Sequence, residues 1–493
     1  MTDSKNIENF NLKKLASIVG KENVKTDEDS LSNYRKAGTE KGGNPAAVVR
    51  PRDTKQVREI VKLARSEKLN LIFSSSSPPR FRGDSIPKGE GIIVDMSKMD
   101  RIIRIDRRNK VALIEAGVTF EKLIPEADKA GLKVLMPLLP KRGKSVLASF
   151  LEREPIIIPK YHWDMTDPLL CTELVFGTGD IFRTGSAAGP GSLEDQWASG
   201  LAQKNPLGPA QSDFLRIVQG AQGTMAAVIW CSLKLEVKPT VHRIWFAPES
   251  KLEKLIDFTY RALKPRLGDE WLILNSFALA TLIAESPNEI PDIAKKQAPY
   301  TVIYGVSGYR YLPEERVAYQ ERDLARHAQE SGVTPVPEIP GCSWKKMEKI
   351  LSAPSREPYY KTRPKGDFLE IFFLTTLDKV QKFITLMESE AEKCGYPKDE
   401  IGIYIQPIQQ GRNAHLEFTI YFDPKEVNKA MELHESASRA MSEAGAFFSR
   451  PYGVWSELAY ARCPATVNTL NKVKRMLDPD NILNRGKLCF KDL

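Results

Sequence analysis

Leu477-Asp478-Pro479-Asp480-Asn481-Ile482-Leu483-Asn484-Arg485-Gly486-Lys487 stands close to the end of the sequence and decides how the rest is read. Pro479 cannot continue a helix, and it biases Asp478 away from helical angles. Ile482 and Leu483 then form a short apolar step. Asn484-Arg485-Gly486-Lys487 turns the chain: Gly486 admits a positive φ, and Lys487 brings a mobile cation to the tail.

Two earlier stretches share this glycine-and-polar texture. Ser74-Ser75-Ser76-Ser77-Pro78-Pro79-Arg80-Phe81-Arg82-Gly83-Asp84-Ser85 follows an apolar strand. Successive backbone N–H groups in such a loop can form a concave anion site, and serine hydroxyls add donors. Arg80 and Arg82 match phosphate oxygens. The same composition also suits a plain Ser/Pro surface loop. Gln219-Gly220-Ala221-Gln222-Gly223-Thr224-Met225-Ala226-Ala227-Val228-Ile229-Trp230 is a glycine loop running into a buried strand.

The tail closely resembles the C-terminal signature of flavoproteins of the vanillyl-alcohol oxidase type, the FAD-linked oxidases with a PCMH-type FAD-binding domain. Arg485 stands where that family usually has proline. The resemblance implies that the serine loop holds the diphosphate of FAD, with Ser74, Ser75, Ser76, Ser77, Arg80, Arg82 and Gly83 around it. It places Gly220, Gly223, Thr224 and Val228 on the second half of the flavin site, and Asn484 and Lys487 on the tail that folds back over it. Serines replace the usual glycine run, and Ala226-Ala227 replaces Gly-Ile. Pro137–Val146 occupies the place of a further family segment, in which Gly143 and Ser145 fit and the basic residues either meet phosphate or lie on the surface, the surface being preferred. No histidine lies in the serine loop, so FAD is expected to be non-covalent.

The chain has 493 residues, 42% of them hydrophobic and 27% charged, enough for two or three ordinary globular domains. No apolar run is long enough to span a bilayer. Met1-Thr2-Asp3-Ser4-Lys5 lacks the apolar core of a secretory signal. Six cysteines without a close pair argue against a disulfide framework and against Cys-x-x-Cys metal sites, and point to a cytoplasmic setting. The net charge of +9 is spread among Asp and Glu without a long basic block, so no nucleic-acid partner is expected.

Along the chain, 1–45 reads as a helical lead-in and 46–238 as the two-subdomain FAD-binding domain. Residues 239–450 read as a substrate cap and 451–493 as a segment returning to the first domain. The fold class is α+β, with an antiparallel sheet in the cap. Val57, Ile60, Val61 and Ala64 recur at helical spacing behind Thr54, a candidate N-cap. Ala47–Val49, Leu69–Phe73, Gly91–Asp95 and Lys110–Glu115 read as strands. Thr172–Thr184 reads as a hairpin around Gly177-Thr178-Gly179-Asp180.

The chemistry is sought on the cap strands Ile401–Ile408 and His415–Phe422. Alternation puts Tyr404 and Gln406 on one face, and Asn413, His415 and Glu417 on one face of the partner strand. That is either a solvated sheet surface or the ceiling of a substrate pocket. His415 is the candidate base, by its ordinary pKa near neutrality, and Tyr404 a donor to an oxyanion. Arg412 and Arg450 are candidates to hold a phenolate or carboxylate, and Tyr452, Tyr460 and Trp455 to wall an aromatic slot. Hydroxy-acid-oxidising relatives carry a His-rich metal motif where Ile408–His415 offers one histidine. A metal is therefore not expected, and the phenol-oxidising branch is favoured over the glycolate oxidase and D-lactate dehydrogenase-like one. The expected activity is an FAD-dependent dehydrogenase acting on an alcohol, phenol or hydroxy acid. The substrate would be small, and aromatic or anionic. Electrons would pass to a protein partner or other external acceptor, since no nicotinamide fingerprint is visible. A homo-oligomer or a place in a redox complex is expected. The alternative is a flavin-poor, non-catalytic subunit of such a complex.

Overall fold

The computed structural model describes residues 4–162, 167–208 and 213–491. Four strands, β1 (Val24–Lys25), β2 (Pro45–Val49), β3 (Leu71–Ser74) and β4 (Gly91–Asp95), form a sheet in the order β1-β2-β4-β3. β4 runs parallel to both β2 and β3. Such strands are buried on both faces, which explains their unbroken apolar runs. Val48, Ile72 and Ile93 face Leu31 and Tyr34, while Ala47, Val49, Leu71 and Val94 enter the main core of this half. Helix α1 (Ser4–Val19) and β1 join this sheet, so the lead-in is built into the first domain.

Helix α2 (Thr54–Glu67) lies behind the sheet. Val57, Ile60, Val61 and Ala64 are fully buried, and each Val or Ile contributes about 1.5–3 kcal/mol of burial. Its N-cap is Asp53, which accepts from Gln56 N, not Thr54. Thr54 is the first helical residue, and its hydroxyl donates to Glu173 at 2.7 Å.

A second sheet is antiparallel. It comprises β5 (Ile102–Asp106), β6 (Val111–Glu115), β7 (Leu132–Val134), β8 (Leu169–Phe176), β9 (Ile181–Arg183) and β10 (Ala226–Val237), ordered β9-β8-β10-β6-β5 with β7 beside the end of β10. The β8–β9 hairpin turns where the sequence predicts it.

From Val241 the chain builds the cap. β11 (Val241–Glu249), β12 (Trp271–Asn275), β13 (Tyr300–Gly308), β14 (Asp367–Thr375), β15 (Ile401–Ile408) and β16 (Asn413–Phe422) are ordered β11-β13-β12-β15-β16-β14. Helices over Leu252–Leu263, Pro313–Glu330, Val380–Lys393 and Val427–Glu443 cover one face. That face carries Ile403, Ile405, Leu416, Phe418 and Ile420. The other face turns to the first half of the chain and is buried too, so it is no solvated surface. Beside the Pro-rich stretch Thr334–Pro340, Val336 pairs with Phe246 of β11.

Helix α3 (Pro464–Leu477) ends at Asp478, as Pro479 requires. The tail then docks as read: Leu71 N donates to Ile482 O at 2.7 Å, and Asn484 N donates to Leu71 O at 2.9 Å. Lys474, 1% exposed, donates to Asp478, Thr224 O and Leu483 O. Asp478 in turn accepts from the N–H groups of Ile482 and Leu483.

A second buried ionic cluster joins the halves. His242 on β11 contacts Glu270 at 2.9 Å and Glu348 at 3.0 Å, and Lys133 on β7 pairs with Glu270. Burial alone would lower His242, but Glu270 and Glu348 outweigh it and raise it to about 9.

Asp478→Ala leaves Lys474 buried without its counter-ion, which should cost about 3–5 kcal/mol, read by denaturant unfolding of the purified protein. His242 binds its proton more tightly folded than unfolded. Its contribution to stability is therefore complete below its ordinary value of 6.5 and is lost as pH rises through about 9. His242→Gln should flatten the melting-temperature profile across that window, and an unchanged profile would refute the assignment.

Candidate functional site

The face of the cap sheet turned toward the first domain roofs a cleft, whose floor is the serine loop and the segment from Pro137 to Pro155. A second cleft continues from it toward Gly220, Gln222, Gly223, Ala226 and Val228. Ser74, Ser75, Asp84, Ala148 and Glu152 line both. The early loop and the loop near residue 223 thus border one continuous space.

Local chemistry shapes each wall. No residue from Ser74 to Ser77 takes a positive φ, so serine replaces glycine there without backbone strain. Ser74 Oγ accepts from Arg80, and Ser76 Oγ from Ser145 N, while Ser75 and Ser77 hydroxyls make no hydrogen bond among the described residues. Gly143 is required by close approach, since a Cβ there would lie 2.7 Å from Ser77 Cβ. Gly223 has φ +69°, and the space beyond its Cα is open. Ala226 lines the second cleft without closing it. Asn484 donates to Asp84 O and to Gln222 O, both at 2.7 Å, and so fastens the two loops to the tail. Its Oδ1 is buried without a partner.

The roof and floor carry a dense set of charges. Arg82 donates to Glu152 (2.8 Å), Glu154 (2.7 Å) and Glu370 (3.1 Å). Lys361 bridges Glu370 and Glu417, and Lys144 pairs with Glu152. Among the described residues Arg450 has no carboxylate partner. Its guanidinium lies 4.0 Å from the Phe372 ring centroid, it is 3% exposed, and Nη1 has no hydrogen-bond partner. Burial and the neighbouring Arg82 lower its proton affinity. Phe81, Tyr359, Phe368 and Tyr404 supply aromatic wall.

Several expectations need correction. Arg82 is taken up by its three carboxylates, so its charge is already balanced, and Arg80 lies 4.0 Å from the Tyr34 ring centroid and braces Ser74 and Ser76. Thr224 does not reach the clefts; its hydroxyl closes the turn onto Ala221 O. Ser145 is fully buried, donating to Ala116 O. Gly83 lines an adjoining groove with Glu40 and Tyr452, and Lys487 pairs with Glu40 at 3.2 Å.

Among the proposed catalytic residues, Tyr404 and Arg450 line the first cleft and Tyr452 the second. His415 does not line it. It sits behind Tyr404, contacts Glu417 at 3.4 Å, and is drawn by burial down to about 4, so its near-neutral pKa is lost. Arg412 is exposed at the β15–β16 turn, away from the cleft. Trp455 packs on Phe448 in the cap core, and Tyr460 packs against the core of the first domain. Of the basic residues of Pro137–Val146, Arg142 is on the surface with Glu121, but Lys141 and Lys144 line the cleft; Lys141 donates to Ser77 O and Pro79 O and is pushed by burial down to about 7.

Sequence reasoning missed Asp84, Lys144, Glu152, Glu154, Lys361 and Glu370. Glu370 had a signal, as the only charge inside the otherwise apolar run of Phe368–Leu374. Lys361 had none, because it reaches the cleft from an irregular segment.

The Asn484 clamp predicts that Asn484→Ala keeps the fold but loses two hydrogen bonds, about 0.5–1.5 kcal/mol each. The dissociation constant of FAD should rise about tenfold, measured by flavin fluorescence on dilution.

Comparison with known proteins agrees with this architecture. The FAD binding domain family matches residues 45–148, and the family of C-terminal domains of FAD linked oxidases matches 408–488. The 4-cresol dehydrogenase [hydroxylating] flavoprotein subunit of Pseudomonas putida is 28% identical over 187 residues, 37% of this chain and 35% of that one. D-2-hydroxyglutarate dehydrogenase of Stutzerimonas stutzeri (strain A1501) is 23% identical over 490 residues, covering 96% of this chain and 97% of the other. The crystal structure of p-cresol methylhydroxylase with substrate bound shares the fold, with a TM-score of 0.83 at 18% identity over 99% of this chain and 98% of that one. Among the described residues no helix is long and apolar enough to cross a membrane. The chain thus carries the FAD binding domain and the C-terminal domain of FAD linked oxidases: it is an FAD-dependent oxidoreductase whose cofactor domain has the PCMH-type fold.

Proposed function

We propose that the chain is a dehydrogenase that oxidises a small phenol bearing an oxidisable carbon, with Arg450 holding the substrate oxygen. The observation that carries this reading is the unpaired Arg450 guanidinium in a cleft walled by Phe81, Tyr359, Phe368 and Tyr404. The glutamates beside Arg82, Lys144 and Lys361 are engaged by them, whereas Arg450, among the described residues, keeps a guanidinium nitrogen without a partner for a ligand anion. In a dry cleft a charge-assisted hydrogen bond to a phenolate is strong. Tyr404, kept neutral by burial, donates to Gln406 and presents its ring to the cleft.

FAD, held without a covalent bond, supplies the hydride acceptor. Ser74–Ser77 would cradle its diphosphate through backbone N–H groups and the free hydroxyls of Ser75 and Ser77, with Gly220, Gly223 and Val228 along the rest. Gly143, Ser145, Thr224, Asn484 and Lys487 would shape those loops rather than touch the cofactor. Roofing by the cap excludes water from the reacting face. Electrons then leave to an external carrier. The names of the 4-cresol and p-cresol relatives support a phenol.

A second reading is a 2-hydroxy acid whose carboxylate takes the place of the phenolate on Arg450. The relative acting on D-2-hydroxyglutarate supports it, since it aligns over 96% of this chain. Among the described residues no group of three His, Cys, Asp or Glu could hold a metal, so such a reaction would rest on Arg450.

Anaerobic bleaching of the flavin by a panel of 4-alkylphenols and 2-hydroxy acids decides between them. Arg450→Ala should lower kcat/KM for the true substrate by about 10–100-fold, matching a lost charge-assisted bond of about 1.5–3 kcal/mol. Arg450→Lys should recover part of it. Equal bleaching by Arg450→Ala and the native enzyme would sink the proposal.

A further inference from the structure

Five carboxylates line the first cleft: Asp84, Glu152, Glu154, Glu370 and Glu417. Four of them are engaged by a cation. Glu152 and Glu154 are held by Arg82, Glu152 also by Lys144, Glu370 by Arg82 and Lys361, and Glu417 by Lys361. A carboxylate locked to a buried cation is a poor proton acceptor, because protonating it strands the cation in a low dielectric. Asp84 differs. Among the described residues its carboxylate makes no hydrogen bond or ion pair, and it lines both clefts where they join. Its backbone is fixed by Asn484, which donates to Asp84 O at 2.7 Å, so the side chain stands on a held loop.

We infer that Asp84 is the general base of the reaction, accepting the substrate's hydroxyl proton directly from the cleft. The inference rests on the reading of the cleft as the substrate site. In the step, the substrate's C–H bond breaks and its hydrogen leaves with both electrons for the flavin. The substrate's O–H bond breaks, and the proton forms a new O–H bond on the Asp84 carboxyl. A 4-alkylphenol so becomes a quinone methide, and an alcohol a carbonyl compound. The groups facing Asp84 are Glu152 and Lys144 from the floor, Arg82 on its own loop, Lys487 from the tail, and the Tyr452 hydroxyl. Burial, then Glu152, push Asp84 up to about 6, while Lys144, Arg82 and Lys487 oppose them. Asp84 is therefore ionised but basic at neutral pH, which suits a proton acceptor. His415, buried behind Tyr404 and drawn down to about 4, does not fill the role.

The test is stopped-flow flavin reduction in Asp84→Asn, with flavin content read from its absorbance. The native rate should rise with pH through an apparent pKa near 6. Asp84→Asn should retain flavin, reduce it at least ~100-fold more slowly, and lose that limb. An unchanged rate with the same limb overturns the base and leaves the substrate reading intact. If Arg450→Ala behaves as native while Asp84→Asn is slow, the substrate reading fails and the base stands. Should Asp84→Asn release flavin, Asp84→Ala is assayed in excess FAD with added formate. Recovery proportional to formate supports the assignment, and no recovery overturns it.

Discussion

The structure depends on the buried carboxylate of Asp478. It accepts from Lys474 and from the N–H groups of Ile482 and Leu483, while Lys474 also holds the carbonyls of Thr224 and Leu483. One ion pair thereby fixes the end of a helix, the start of the tail and the turn that leads into β10. Burying two charges is unfavourable until their remaining donors and acceptors are satisfied, and here the backbone satisfies them. The consequence is geometric. With Ile482 and Leu483 pinned, Asn484 arrives where it can reach Asp84 O and Gln222 O together. The distance between the two loops that border the cleft is therefore set by the tail, far along the chain from both of them.

The interior of the site is organised by charge more than by shape. Arg82, Lys144 and Lys361 alternate with Glu152, Glu154, Glu370 and Glu417 across the boundary between cap and first domain, so the cap is held over the cleft by largely buried ion pairs. In such surroundings each unpaired group stands out, because low dielectric magnifies both attraction and the cost of isolation. Among the described residues, Arg450 keeps an unpartnered guanidinium nitrogen and Asp84 an unpaired carboxylate. A site that binds an oxyanion and removes a proton needs one of each.

Regular elements were legible in the sequence because burial periodicity carries them. The helix over Thr54–Glu67, the strands around Ile93 and Leu113, and the opposite faces of Ile401–Ile408 and His415–Phe422 follow from alternation and spacing alone. Opposite Tyr404 stands Glu417, and opposite Gln406 stands His415. What alternation cannot reveal is how deep a face lies. His415 shares its face with Glu417, yet is buried beside Tyr404 and Phe372 outside the cleft lining, and that burial removes the near-neutral pKa that made it a candidate. Arg412 likewise satisfied a charge argument, but the β15–β16 turn carries it into solvent. Lys361 and Glu152 were illegible because irregular chain brings them to the cleft, and only the packed structure pairs them.

The departures from the family pattern have local physical reasons. Serine tolerates positive φ poorly, but Ser74–Ser77 never adopt it. Arg485 stands where proline is usual, and its N–H donates to Asn70 Oδ1 at 3.0 Å, a bond that proline lacks. Its guanidinium also reaches Lys68 O, tying the tail to the end of α2. Ala226 begins β10 with its methyl against the cleft wall, where it adds apolar contact without filling the space. Each replacement keeps the backbone path and changes what hangs from it. The same backbone frame therefore accommodates serine at 74–77, alanine at 226 and arginine at 485, each with a contact of its own in place of the usual residue.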